Sequence, residues 1–144
     1  MTGNDFVAFM LRTPLHIFMG KTMLITVTGR KTGKKYTTPV GYYRVDDYLW
    51  VITSRERTWW RNVKDGAEVS LRLHGKDVTG FAEAVLDEDA IAARVGEYLK
   101  YVPMAAKPLG VRLENGVPHP EDAARLTQER LFVKVKLNLQ HYLN

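Results

Sequence analysis

Met23-Leu-Ile-Thr-Val-Thr-Gly-Arg-Lys-Thr-Gly-Lys-Lys-Tyr-Thr-Thr-Pro-Val-Gly-Tyr42 is the stretch that decides the fold. Its two ends are rich in β-branched and aromatic residues and read as strands, Met23 to Thr28 and Tyr36 to Val45. Its middle holds two glycines and four cations, Arg30, Lys31, Lys34 and Lys35, within six positions. Gly29 and Gly33 allow positive φ and close backbone approach, so the cations stand on a tight connection between strands. A sheet would hold that charge at a fixed place. Two readings are open: a solvated hairpin tip, or a turn that meets a phosphate or carboxylate through charge-assisted donors.

The same strand-and-turn grammar runs outward. Tyr48 to Ser54 is a third strand, joined to the second at Asp46-Asp47. Arg57 to Lys64 reads as a short helix or turn, broken by Asp65-Gly66. Ala67, Val69, Leu71 and Leu73 alternate with Glu68, Ser70, Arg72 and His74, the pattern of a half-buried strand. Gly75 turns this into a strand from Lys76 to Leu86. Asp87 then caps a helix with Ile91, Val95, Tyr98, Leu99 and Val102 on one face, and Pro103 ends it. A Pro- and Gly-containing loop follows, then a short helix from Pro120 to about Gln128 and a closing strand through Leu131, Val133, Val135 and Leu137. Short turns between consecutive strands favour antiparallel pairing. The expected architecture is mainly β: a small twisted antiparallel barrel with flanking helices on its outside.

The 144 residues are expected to form one domain, 1–144, with a helical N-terminal segment over 1–21 and the barrel and its helices over 22–144. In that first segment Asn4 or Asp5 can cap one helix and Thr13-Pro14 can start another. Phe6, Phe9, Met10, Leu15, Ile17 and Phe18 would lie over the barrel or form an interfacial helix on an anionic membrane. The net charge of +5 favours anionic partners. With no cysteine, disulfides, thiolate catalysis and Cys-based zinc sites are excluded. That absence fits the cytoplasm, and the start does not read as a signal peptide. His16, His74, His119 and His141 are scattered without metal-site spacing, so no metal is expected. No Gly-x-Ser-x-Gly elbow, Gly-x-Gly-x-x-Gly or Walker motif is present. Glu56 and Asp65 interrupt the basic residues, which argues against a nucleic-acid partner.

Two further places can carry chemistry. Ser54-Arg-Glu-Arg-Thr-Trp-Trp-Arg-Asn62 puts a hydroxyl at a strand end and two indoles among arginines. Neighbouring helical residues point about 100° apart, so one tryptophan is expected in the core and the other along a cleft, where an indole can stack on a planar ring. Tyr98 and Tyr101 sit three apart near a helix end, either together on a cleft or as an aromatic edge of the core.

With both clusters in hand, the chain resembles the deazaflavin-dependent (coenzyme F420) nitroreductase and quinone reductase family. The resemblance rests on Gly29 to Tyr42, Val51-Ile-Thr-Ser54, Trp59-Trp-Arg-Asn-Val63 and, more loosely, Arg130-Leu-Phe-Val-Lys-Val-Lys-Leu137. It implies a split β-barrel of the flavin-reductase type and coenzyme F420, with flavin mononucleotide (FMN) as the alternative of the wider superfamily. By that resemblance Arg30, Lys31, Lys34 and Lys35 meet the cofactor's phosphate and oligoglutamate tail. Thr37, Thr38, Pro39 and Val40 follow along the strand toward the deazaflavin, and Trp59 and Asn62 match the family's aromatic and amide. Ser54, with Tyr98 or Tyr101 as a second hydroxyl, stands in the catalytic role toward a quinone, nitro or enone acceptor. The alternative of the same fold is a carrier without turnover. A homodimer and a peripheral contact at the inner face of the membrane both stay open. The loop from Ser54 to Trp59 is shorter than the family's usual one.

Overall fold

The structure, a computed structural model, describes residues 22–138. The expectations for residues 1–21, and His141, lie outside that range. The described residues form eight strands, two α-helices and two short 3₁₀ segments, with the six expected strands and both helices in the expected order. They are β1 (Thr22–Thr28), β2 (Lys35–Val45), β3 (Tyr48–Ser54), a 3₁₀ segment (Trp59–Val63), β4 (Ala67–Leu73), β5 (Lys76–Val85), α1 (Glu88–Tyr101), a 3₁₀ turn (Pro103–Ala105), β6 (Leu113–Glu114), β7 (Val117–Pro118), α2 (Pro120–Glu129) and β8 (Arg130–Leu137). Asp87 caps α1 as expected, its carboxylate accepting from the Ala90 N–H. The sequence reading missed the 3₁₀ turn after α1 and the small β6–β7 hairpin inside the long loop.

Six strands close into an antiparallel barrel in the order β1-β2-β3-β8-β5-β4. Period-two alternation decides which side chains fill it. Ile25, Leu49, Val51, Leu71, Val133 and Val135 point inward and are at most 2% exposed. Among the described residues the interior is therefore a packed core.

A second core lies outside the barrel. Directly paired residues share a face, and the pairs Tyr43↔Trp50, Ile52↔Phe132 and Trp50↔Lys134 form an outer patch on β2, β3 and β8. Helix α1 covers it with Ile91, Val95, Tyr98 and Leu99. Tyr98 packs against Tyr43 and, edge to face, against Phe132, with ring centres 6.0 and 6.3 Å apart. The Arg94 guanidinium lies 4.0 Å from the centre of the Trp50 ring and pairs with Glu97. No helix among the described residues is long and apolar enough to cross a membrane.

Strand direction places the functional loops. β1 and β3 run parallel to each other and antiparallel to β2 and β8. The C-terminal ends of β1 and β3 and the N-terminal ends of β2 and β8 therefore meet at one end of the barrel. The basic turn, the tryptophan segment, Ser54 and Arg130 all gather there.

Candidate functional site

The turn between β1 and β2 folds as its glycines require. Gly33 has φ +73°, the left-handed region open to glycine, and a Cβ on Gly29 would come within 2.8 Å of the Tyr36 ring. Gly29 and Lys34 close the turn with an N–H···O bond of 2.7 Å. Asn62 then ties the turn to the tryptophan segment. Its Oδ1 accepts from the Arg30 N–H at 3.1 Å, and its Nδ2 donates to the Trp59 carbonyl at 3.2 Å. One amide thus fixes the distance between the basic turn and the indole.

Between them is a groove of about 460 Å³, lined by Gly29, Arg30, Lys31, Thr32, Tyr36, Thr58, Trp59, Arg61 and Asn62. Arg30 faces Asp65 at a loose 3.8 Å, both largely exposed. Among the described residues Lys31, Lys34, Lys35 and Arg61 make no ion pair. Cations left unneutralised around a groove suit an anionic ligand.

The structure sorts the expected site residues. Arg30, Lys31, Trp59 and Asn62 line one groove. Lys34 and Lys35 stand beside it on the same turn, and the Lys35 ammonium is turned onto the Thr28 hydroxyl at 2.9 Å. Thr37 and Thr38 cannot both present side chains to one ligand, because successive strand residues face opposite ways. Thr37 pairs with Thr26 on the outer face, hydroxyl to hydroxyl at 2.7 Å, and lines a separate outer cavity of about 540 Å³ with Ser70 and Arg72. Thr38 shares the inward face with Ile25, and Val40 is a core residue paired with Met23. Pro39 is buried. Val40 can thus offer a ligand only its backbone.

Both tryptophans are buried, each 8% exposed, and this corrects the expectation of one in and one out. The segment turns as a 3₁₀ helix, and it plugs the barrel end instead of lying along its side. Trp59 donates Nε1–H to the Thr53 hydroxyl at 3.2 Å and still shows an edge to the groove. Trp60 is buried with its Nε1 unpartnered and the Arg61 guanidinium 5.4 Å from its ring centre.

The tyrosines do not share a cleft either. Tyr98 is 1% exposed, and burial pushes its hydroxyl up to about 12. Tyr101 is 49% exposed and stacks on Tyr43 at 5.2 Å. The two meet around Tyr43, whose own hydroxyl is raised to about 12, mainly by burial. One helical turn separates Tyr98 from Tyr101, but the helix end lifts Tyr101 toward solvent.

Ser54 ends β3 on the outer face, with its Oγ accepting from the Glu56 N–H at 3.3 Å. It is paired across the ladder with Arg130, one row along from Ile52 and Phe132, where Tyr98 packs. Arg130 is close enough to Tyr98 to pull its hydroxyl pKa down against the larger effect of burial. Arg55, Arg61 and Arg130 are the site residues that sequence reading did not single out. Arg55 and Arg61 were legible only as neighbours of Ser54 and the indoles. Arg130 needed the strand order, which no local pattern supplies. Among the described residues no group of His, Cys, Asp or Glu could hold a metal ion.

Comparison with known proteins agrees with this geometry. No curated protein matches the sequence. Solved structures with the same fold include an FAD-binding protein from Mesorhizobium loti, at 12% identity and TM-score 0.52, covering 96% of this chain and 91% of that one. The heme storage protein HutZ from Vibrio cholerae is similar at 13% identity and TM-score 0.52, covering 89% and 90%. An F420 reductase aligns at 15% identity and TM-score 0.50, covering 82% and 86%. At such identities these likenesses speak for the fold alone. A family model for F420H(2)-dependent quinone reductase matches residues 11–107, which include the basic turn, Ser54, Trp59 and Asn62. The match takes in well over half of the 144 residues, and the chain belongs to the F420H(2)-dependent quinone reductase family.

Proposed function

We propose that this protein transfers a hydride from reduced coenzyme F420 to a small electron acceptor, a quinone first and nitro or enone compounds as further candidates. The observation that carries this reading is the groove in which Asn62 holds the basic turn against Trp59, with Lys31 and Lys34 in no ion pair among the described residues. F420 brings a phosphate and a string of carboxylates, and the groove offers Lys31, Arg61 and Arg30 to meet them. The residues present fit that part of the cofactor. When bound, the reduced deazaflavin supplies the hydride.

The chain's own contributions are positional. Arg30, Lys31 and Arg61 bind the anionic portion, with Lys34 and Lys35 adding to the local field. Trp59, locked by its bond to Thr53, presents a rigid apolar edge beside them. Ser54 offers a hydroxyl at the strand end, where it can donate to an acceptor oxygen as charge develops there. Tyr98 stays protonated at neutral pH, since its folded value lies near 12. Its ring is sealed from solvent and packs on Phe132, one row from Ser54.

The test is direct. Purified protein with reduced F420 should bleach the acceptor and restore oxidised-cofactor absorbance when menadione is added. Ser54→Ala should lower that turnover by very roughly ten- to a thousandfold, with cofactor affinity nearly kept. Full activity in Ser54→Ala removes the serine's role. Tight cofactor binding with no turnover on any quinone, nitro or enone acceptor would make the protein a carrier. Reduced FMN is the parallel arm, and a preference for it would overturn the F420 assignment.

A further inference from the structure

Beside the groove, on the other side of the loop that follows β3, lies a second polar cleft of about 370 Å³. It is lined by Ser54, Arg55, Glu56, Gln128, Glu129 and Arg130. Two arginines line it: Arg130 opens β8, where it pairs with Ser54, and Arg55 is the residue that follows Ser54. Arg55 is held in place by the end of α2: its N–H bonds the Glu129 carbonyl at 3.0 Å and its Nη2 bonds the Thr127 carbonyl at 3.1 Å. Both Arg55 and Arg130 leave Nε–H buried and without a hydrogen-bond partner. Buried donors are almost always paired, and an unpaired donor on a charged group needs a reason. The nearby carboxylates do not supply one, since Glu129 is engaged by Arg125 at 3.1 Å and the Glu56 residue is exposed.

We propose that this cleft is a carboxylate-binding subsite, in which the Nε–Nη edges of Arg55 and Arg130 receive one carboxylate next to the Ser54 hydroxyl. The guanidinium edge matches a carboxylate in two parallel hydrogen bonds, and a small rotation of each side chain brings its idle Nε–H into use. The carboxylate can come from an acidic electron acceptor or from the cofactor's glutamate tail. The choice between those sources rests on the reductase reading, whereas the subsite itself does not.

The experiment therefore avoids cofactor and turnover. The Nε–Hε signals of Arg55 and Arg130 are assigned by NMR in the full chain; their burial slows exchange with water and keeps them visible. The protein is then titrated with 2-naphthoate, with γ-glutamylglutamate, and with sodium chloride at matched ionic strength. Both signals are expected to shift with at least one carboxylate probe and not with chloride. Movement with naphthoate places an acidic acceptor in the cleft, and movement with the peptide places the tail there. Arg55→Lys and Arg130→Lys keep the charge but lose the fork, and each should weaken probe binding about tenfold. Signals that stay still with both probes, or that move equally with chloride, overturn the proposal. The wild-type titration decides this even where a variant fails to fold.

Discussion

Replacing Lys31 and Arg61 together with alanine probes the groove where its geometry is most explicit. Both line it, and neither makes an ion pair among the described residues. The double variant should therefore lose ligand contacts with little loss of stability. A hydrogen bond to a charged group contributes about 1.5–3 kcal/mol when shielded, but these side chains are exposed, so about 1–1.5 kcal/mol each is the reasonable share. The sum, about 2–3 kcal/mol, corresponds to roughly 30- to 150-fold in Kd for F420. Among the described residues, the folded-state ring contact removed is the Arg61 cation over the Trp60 ring at 5.4 Å. That is worth about 0.5 kcal/mol, or about 1–2 °C in Tm for a chain of this size. The assay is a fluorescence titration with oxidised F420 at low salt, repeated at high salt, where the gap should narrow as the field is screened. Lys100→Ala/Lys107→Ala removes the same charge at exposed positions outside the groove and serves as the control. If the groove variant keeps its affinity within twofold, or the control weakens equally, the anion is not bound there and only net charge matters.

Asn62→Ala should lower both stability and cofactor affinity, because it severs the bond that joins the basic turn to the Trp59 segment and a second one that braces the segment itself; about 1–3 kcal/mol in urea unfolding is expected, and an unchanged midpoint would show the joint to be idle. Gly80→Ala places a Cβ 2.7 Å from the Lys136 carbonyl oxygen on the β5–β8 seam, so it should cost about 1–3 kcal/mol or more by thermal unfolding; a neutral result would argue against that seam. Tyr43 and Tyr98 are raised to about 12 when folded and ionise near 10 when unfolded, so their stabilisation is complete below pH 10 and is lost as pH rises toward 12. Ultraviolet titration should show Tyr43 and Tyr98 ionising late and together with unfolding, and a single transition near pH 10 would contradict the packing. Asp122 accepts from the Arg112 N–H, Nε and Nη2 and sits at about 2, so the loop it holds should stay docked above pH 4 and loosen as pH falls toward 2; Asp122→Asn should flatten that acid response in amide exchange.

Most of the fold was legible because its signals are local. β4 announces itself by strict alternation, α1 by Asp87 and a one-sided apolar face, and the β1–β2 turn by glycines between β-branched runs. The basic groove was legible for the same reason: its cations and glycines are neighbours in sequence. The failures have a common physical source. Trp59 and Trp60 were separated on a helical wheel, but a 3₁₀ plug at a barrel end is surrounded on most sides and buries both. Thr37 and Thr38 were read as a pair, although a strand splits neighbours between its faces. Tyr98 and Tyr101 share a helical side, and only the end of α1 decides that one is sealed and the other open. Arg130 belongs to the site through the β3–β8 register, a contact across 76 positions of chain between Ser54 and Arg130 that no short window contains.

The barrel itself does not choose a ligand. Its interior is filled by Ile25, Leu49, Val51, Leu71, Val133 and Val135, so among the described residues the loops surround a packed core. Chemistry must then be written on the outer face and at the barrel ends, where substitution leaves the core untouched. That explains how one architecture serves an FAD-binding protein, a heme storage protein and an F420 reductase at 12–15% identity. In this chain the antiparallel strand order brings Arg30, Lys31, Lys34, Lys35, Arg55, Arg61 and Arg130 to one end, while Asp46 and Asp47 turn the chain at the other. That gathering of cations follows from strand direction once the turns carry these residues. It makes one end of the barrel attractive to a polyanion at a distance, before any specific contact is made. Asn62 then converts that diffuse attraction into geometry, since it fixes the basic turn to the segment that presents Trp59.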